Sequence, residues 1–487
     1  MTPVGSQSSP VSSPKVRIAL VILVAAVLRM IFLGARSFWA DEIVSVKLAT
    51  DNWDGFWFWV STREANMALY YLLLREWVRL GDSEAWVRLL SALIGLVTIP
   101  VLYALARQLY DDRTAWITAL LAATNACFIE FSQEARSYSL VILLVVLSSY
   151  FFVRVVREGK VWDAVAYVLI SICALYAHFF AGLVIVAHAI SIFWRPAKQV
   201  PWAKLIVAWI VVGLGALPIS FFVLKRDVGQ LAWVHPTTFS EVYKLAIFFA
   251  GGSKAVAAVL SVLSLAAIVA AVAANRSDFR TRTETSWRFM LTLLWAVAPV
   301  ALTILVSLSK PIFVHRYLLV TLPAYLTLIA IGLARLQETR ALVAALIAFI
   351  ALSSVSIAQG YFRPVEDWRG VVDYVLDRSQ SGDALTVYVP YAMNNFNFYA
   401  AKRTATGLKL MASPTSIQEA QSINSPRFWV IIYPSPHTAA EAGSLEDLFR
   451  ARYTSEERKR FRGIELLLYI QPKLPPSRLP AASAPRP

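Results

Sequence analysis

The chain has 487 residues, 58% of them hydrophobic and 16% charged, with a formal net charge of +15 and a mean hydropathy of +0.58. Soluble domains carry about 25% charged residues, so this composition excludes a soluble globular protein and indicates a polytopic membrane protein. In such a chain an excess of Lys and Arg reports orientation, and no nucleic-acid partner is expected. The two cysteines, Cys127 and Cys173, fall in apolar runs, which argues against a disulfide framework or a cysteine metal site.

Residues 1–14, with five serines and three prolines, read as a flexible cytoplasmic tail. The run from Val16 to Gly34 is long enough to span a bilayer and is followed by no small-residue cleavage box, so it reads as a retained helix. Lys15 and Arg17 at its start place the N-terminus inside. Asp41 and Glu42, in Arg36-Ser-Phe-Trp-Ala-Asp-Glu-Ile43, then fall outside.

Further spans are expected near 86–109, 114–131, 138–156, 161–176, 178–194, 204–224, 241–274 (broken at Gly251-Gly252), 288–309, 316–335 and 340–360, about eleven in all. The connectors read as inside carry Arg107 and Arg113; Arg154, Arg157 and Lys160; Arg195, Lys198 and Lys204; Arg276 to Arg288; and Arg335 and Arg340. Apart from the long first loop, alternate connectors are poorer in basic residues, with Arg136, then Lys225 and Arg226, then Lys310 and Arg316, as the positive-inside rule requires. The first outside loop, 36–85, contains an aromatic belt (Trp53, Phe56, Trp57, Phe58, Trp59) and an interfacial helix over Met67 to Leu80.

Beyond residue 361 the texture changes: a helical spacing from Glu366 to Leu376 is followed by short buried-strand patterns at 384–389, 428–433 and 464–471. The expected architecture is a helical membrane bundle over 15–360, a small α/β domain over 361–472 on the outside, and a disordered Pro-rich end over 473–487. There is no Walker A loop and no G-x-G-x-x-G after a strand, so a nucleotide donor is not indicated.

Four constellations fall on the outside edge. Asp41 and Glu42 are an acid pair in which one carboxylate can accept a proton from an attacking hydroxyl. Phe131-Ser-Gln-Glu134-Ala-Arg136-Ser-Tyr138 is a polar turn whose Glu134 suits a sugar hydroxyl or cation and whose Arg136 suits an anion. Lys310, His315 and Arg316, followed by Tyr317, are placed to take a lipid phosphate, Arg316 bidentately. Tyr176-Ala-His178 puts a histidine between two apolar runs, and the spacing to His188 is not that of a helical metal pair.

These segments in order resemble the GT-C-fold glycosyltransferases, in particular the family-39-like bacterial enzymes related to protein O-mannosyltransferases and to aminoarabinose transferases of lipid A. The resemblance rests on Trp39-Ala-Asp-Glu42, Gly81-Asp-Ser-Glu84-Ala-Trp-Val-Arg88-Leu-Leu-Ser91, Gln133-Glu-Ala-Arg-Ser-Tyr138, Tyr176-Ala-His178, His315-Arg-Tyr317 with Leu322-Pro323, and Glu366-Asp-Trp-Arg369.

It implies a polyprenyl-phosphate sugar donor, a lipid or glycan acceptor, and direct displacement at the anomeric carbon on the periplasmic face of a bacterial inner membrane. It further implies that Asp41 is the base, that Glu42 orients it or binds sugar, that Glu134 is a second acid, and that Arg136 and Arg316, with Lys310 and His315, hold the donor phosphate. Tyr138, His178, Tyr317 and Glu64 are the expected substrate contacts. Where relatives often carry His-Pro-Pro, this chain has Asn66-Met67-Ala68, which leaves a divalent metal open and weighs against protein mannosylation. A transporter or flippase of a lipid-linked sugar is the alternative class, drawing on the Gly251-Gly252 break.

Overall fold

The computed structural model describes residues 13–224, 234, 236–238, 240–274, 281–363, 366–388, 392–403, 407–411, 413–414, 419–420, 425–433 and 439–471. The two expected disordered ends, 1–14 and 473–487, lie outside these residues except for Ser13 and Pro14. The chain forms two compact units: Met1–Ala35 with Val44–Arg363, and Arg36–Ile43 with Pro364–Pro487.

The first unit is helical. Among the described residues six helices are long and apolar enough to cross a membrane, or eight if each of two bent pairs counts as one span. Shorter apolar helices at Pro14–Met30, Val161–Ala177 and Ala181–Ser191 occupy the other positions where the sequence predicts spans. Local signals set the ends: Ser83, Asp111, Asn125 and Thr283 each accept a backbone N–H from the first turn that follows, the usual N-cap bond. Gly159, at φ +62°, closes the helix Tyr138–Glu158, a conformation costly for any residue with a Cβ.

Both bent pairs interrupt their helices at small or polar residues. Asp112–Thr124 and Ala126–Ser132 meet at 60°, and Ser240–Phe249 and Lys254–Ala270 meet at 100°. The second break falls at Gly251 and Gly252, with φ of +68° and +89°. The breaks pack together: Asn125 Nδ2 donates to the Phe249 carbonyl at 2.9 Å, its Oδ1 caps Phe128 N at 2.8 Å, and a Cβ on Gly251 would come within 2.5 Å of Ala126 Cβ. Arg29, fully buried, donates to the carbonyls of Ala122 and Ala123 at 3.1 Å each. Those groups are left without helical partners at the end of Asp112–Thr124, and a cation there also opposes the negative end of the helix dipole.

The connectors read from the sequence as lying on one side are bonded to one another. Arg17 reaches Asp112 at 3.3 Å, Arg113 reaches the Leu336 carbonyl at 2.6 Å, and Arg288 reaches the Leu109 carbonyl at 3.1 Å. Glu284 joins Arg157 and Arg195. The connectors of the other set also meet: Ser137 Oγ donates to the Ala177 carbonyl at 2.7 Å, and the segment 64–71 contacts Arg136 and His178. The helix Tyr138–Glu158 runs between the two ends over 21 residues, about 31 Å at 1.5 Å per residue, close to the apolar thickness of a bilayer.

The second unit contains a five-stranded sheet of order β2-β1-β3-β5-β4, with β1 Ala384–Tyr388, β2 Lys409–Leu410, β3 Arg427–Ile432, β4 Thr454–Phe461 and β5 Ile464–Ile470. β1 pairs in parallel with β2 and β3, and β5 runs antiparallel to β3 and β4. β1 is buried along its whole length and β3 from Phe428 onward, as expected of parallel strands covered on both faces. Arg427, Val430 and Leu468 mark the β3–β5 register through the pairs Arg427↔Ile470, Val430↔Leu467 and Trp429↔Leu468. The β4–β5 hairpin turns at Arg462-Gly463, with Gly463 at φ +69°.

Candidate active site

Two clusters carry the chemistry-bearing residues, one in each unit. In the bundle, the polar turn between Ala126–Ser132 and Tyr138–Glu158 presents Arg136, only 7% exposed. Its Nη1 donates to Tyr71 Oη at 3.1 Å and to Ser45 Oγ at 3.3 Å. Tyr71 in turn donates to Glu64 Oε2 at 2.7 Å, so Glu64 and Arg136 are joined through one phenol. Ser91 donates to the Arg136 carbonyl at 3.4 Å and exchanges a 2.8 Å bond with Tyr70. Hydrogen bonds to a charged group are worth about 1.5–3 kcal/mol each, enough to fix the guanidinium at this depth. Glu134 lies two residues before it, partly buried.

His178 sits in the same cluster, 1% exposed. Asn66 Oδ1 accepts Phe179 N–H at 3.0 Å, which turns its amide nitrogen to His178 Nε2 at 3.1 Å. Nδ1 of the same ring accepts the Phe180 N–H at 3.3 Å. The imidazole lies 4.8 Å from the Tyr317 ring, 5.5 Å from Phe180 and 6.4 Å from Tyr138. Arg136 and Arg316 are both close enough for their charges to act on it. The structure thus brings together Glu64, Arg136, Tyr138, His178, Arg316 and Tyr317 from the residues singled out in the sequence.

Two others are placed differently. His315 pairs through Nε2 with Glu241 Oε2 at 3.2 Å, and Glu241 also binds Lys244 at 2.6 Å. Lys310 is exposed at the end of Glu284–Ser307 and its turn.

In the second unit, Asp41 and Glu42 stand in the first turn of the helix Ala40–Thr50. Carboxylates are favoured there by the positive end of the helix dipole. Glu42 is fully buried and its Oε2 accepts Trp39 N–H at 3.4 Å, half of a capping box. A further first-turn donor is met from far along the chain: Glu366 Oε2 accepts Ala40 N–H at 3.1 Å and Trp368 Nε1–H at 2.7 Å, and Tyr433 donates to Oε1 at 2.6 Å. Burial pushes the Glu366 carboxyl above its ordinary range and the Asp41 charge adds to the rise, while the bonds from Tyr433, Trp368 and Ala40 oppose it. Ser37 Oγ donates to the Glu366 carbonyl at 2.6 Å, and Phe38 N–H to Tyr399 Oη at 2.7 Å.

Tyr71, Ser45, Asn66, Glu366, Tyr399 and Tyr433 had no assigned role from the sequence. Two of them carry a signal: Glu366 by its place in the Glu-Asp-Trp-Arg segment, and Asn66 by standing where relatives often carry His-Pro-Pro. Among the described residues no group of three or more His, Cys, Asp or Glu side chains could hold a metal ion.

Residues 67–224 match the family model of dolichyl-phosphate-mannose-protein mannosyltransferases. No curated protein sequence matches the chain. Among solved structures, ArnT from Cupriavidus metallidurans bound to undecaprenyl phosphate is similar at 15% identity, over 93% of this chain and 97% of that one, with a TM-score of 0.55. The Archaeoglobus fulgidus oligosaccharyltransferase tethered to an acceptor peptide is similar at 12% identity, over 96% of this chain and 75% of that one, with a TM-score of 0.57. Mycobacterial arabinofuranosyltransferase AftD is similar at 13% identity over 97% of this chain and 41% of that one, with a TM-score of 0.52. The fold is that of the GT-C glycosyltransferases.

Proposed function

We propose that the protein transfers one sugar from a polyprenyl-phosphate carrier to a hydroxyl of a lipid or glycan, at the periplasmic face of a bacterial inner membrane. The observation that carries this reading is Arg136: a buried guanidinium at the end of the bundle opposite the basic connectors, held by Tyr71 and Ser45. A buried cation at a membrane edge suits a lipid phosphate, and the undecaprenyl phosphate in the ArnT structure is a donor carrier of that chemistry.

In this mechanism the acceptor oxygen attacks the anomeric carbon from the face opposite the phosphate, and the bond from that carbon to the phosphate oxygen breaks with its electron pair, inverting the centre. Asp41 accepts the hydroxyl proton. Arg136 and Arg316 balance the charge that grows on the departing phosphate, so no nucleotide is needed. Glu42 holds the turn that carries Asp41, Glu134 bonds the sugar, and Tyr138, His178 and Tyr317 form an aromatic wall for it. The transporter reading draws on the Gly251-Gly252 break, but that break is filled by Ala126 and presents no titratable side chain of its own.

The test is transfer by purified protein from radiolabelled polyprenyl-phosphate sugars to lipid, glycan and peptide acceptors. Asp41→Asn should lower kcat by about 10²–10⁴-fold, the usual contribution of a general base. Full transfer by that variant would remove Asp41 as the base, and failure of every carrier to donate would remove the transferase reading.

A further inference from the structure

The eight residues Arg36–Ile43 belong to the same compact unit as the sheet, although more than 300 residues separate them in sequence. Among the bonds that tie them down are those from Ser37 to the Glu366 carbonyl, from Phe38 N–H to Tyr399, and from Ala40 N–H to the Glu366 carboxylate. Phe38 is fully buried and packs edge-on against Phe398 at 5.8 Å. Glu366 is itself held on every side. Its carboxylate is gripped by Trp368 and Tyr433, the next residue's N–H bonds to the Arg462 carbonyl at 2.9 Å, and a Cβ on Gly463 would lie 3.4 Å from Glu366 Cα.

We infer that Glu366 is a positioning residue for the transfer reaction: its carboxylate caps the helix that begins at Ala40 and so fixes the backbone that carries Asp41. Helix N-termini leave unpaired N–H groups, and a cap fixes where the first turn starts. A general base must be held to within about half an ångström of its productive geometry. Asp41 is one residue past the capped N–H, so a loosened cap displaces the acid directly. The inference rests on the sugar-transfer reading with Asp41 as base.

Glu366→Ala and Glu366→Gln separate this role from its rivals. The glutamine keeps a carbonyl oxygen for Ala40 N–H and can meet Tyr433 by letting the phenol accept, whereas the alanine keeps nothing. Amide hydrogen exchange over residues 36–43 should accelerate at least tenfold in Glu366→Ala and much less in Glu366→Gln. In the same proteins kcat should fall at least tenfold in the alanine variant with the donor KM within twofold, and should recover in the glutamine variant to within about fivefold of the wild type.

Unchanged exchange in Glu366→Ala, or loosened exchange with full kcat, overturns the inference. Equal loss of kcat in both variants also overturns it, because the charge and not the cap would then be required. Should Glu366→Ala fail to fold, Tyr399→Phe removes a neighbouring anchor and should show the same pairing of faster exchange and lower kcat; wild-type behaviour there counts against the role. A wild-type protein that transfers no sugar strikes the proposed function, while the exchange comparison still decides whether Glu366 holds the segment.

Discussion

The Tyr71 hydroxyl joins Arg136 to Glu64, accepting from the guanidinium at 3.1 Å and donating to the carboxylate at 2.7 Å. Because Glu64 takes the phenolic proton, the oxygen lone pairs are turned to Arg136 and orient it. Tyr71→Phe removes both bonds, that from Arg136 being worth about 1.5–3 kcal/mol for a charged donor. The donor KM should rise about tenfold or more with kcat changed less, as measured by initial rates against donor concentration. An unchanged KM would detach Arg136 from donor binding.

Arg29→Met should destabilise the bundle. The guanidinium satisfies the carbonyls of Ala122 and Ala123 and lies 5.0 Å from the Phe128 ring centroid, and leaving a buried carbonyl unsatisfied costs about 1–3 kcal/mol. Thermal unfolding in detergent should show a midpoint several degrees lower, with Arg29→Lys intermediate because one ammonium cannot match both arms of the fork. A midpoint equal to that of the wild type contradicts the role.

Two carboxylates give the sheet-containing unit opposite pH dependences. The folded-state value of Glu366 is raised above the ordinary 4.5, chiefly by burial, so its contribution is full below that pH and is lost as pH rises through the folded value. Burial also pushes Glu465 up, but its bonds to Arg460 and Arg458 outweigh this and its folded value is lowered. Its contribution is therefore present above 4.5 and is lost as pH falls through the folded value. Glu366→Gln should flatten the loss on the rising side and Glu465→Gln the loss on the falling side, read from tryptophan fluorescence midpoints across pH. Exchange of those two effects would refute the assignment.

Orientation can be read by labelling in a Cys127→Ala, Cys173→Ala background. Lys160, with a side chain 64% exposed, and Leu80, 73% exposed, belong to connectors read as lying on opposite sides. A membrane-impermeant maleimide added to intact cells should modify Leu80→Cys and spare Lys160→Cys. Modification of both, or the reverse pattern, would overturn the topology.

The membrane helices are legible because apolar runs are local, whereas the caps at Ser83, Asp111 and Gly159 that set their ends emerge from the structure. Within the set of basic connectors read as lying on one side, Arg17 meets Asp112, and Arg157 and Arg195 meet Glu284. The grouping of Arg136 with His178 and Tyr317 could be anticipated only as a shared side. Tyr71 was hidden in an apolar helix pattern, where a phenol reads as core. Glu366 was hidden by distance, since nothing local shows that a carboxylate will cap a helix 326 residues earlier. His315 next to Arg316 suggested a joint phosphate site, and its partner Glu241 is 74 positions away, beyond the reach of a local pattern.

The packing of Asn125 and Ala126 against Phe249 and Gly251 makes the two interrupted spans a single joint. A bend angle in one cannot change without displacing the other, so hinge motion in this bundle is shared by both pairs or absent from both. Heredity is constrained in the same way: a Cβ at 251 would meet Ala126 at 2.5 Å and Ser356 at 3.3 Å on a backbone at φ +68°, so this position should stay glycine among descendants of this chain.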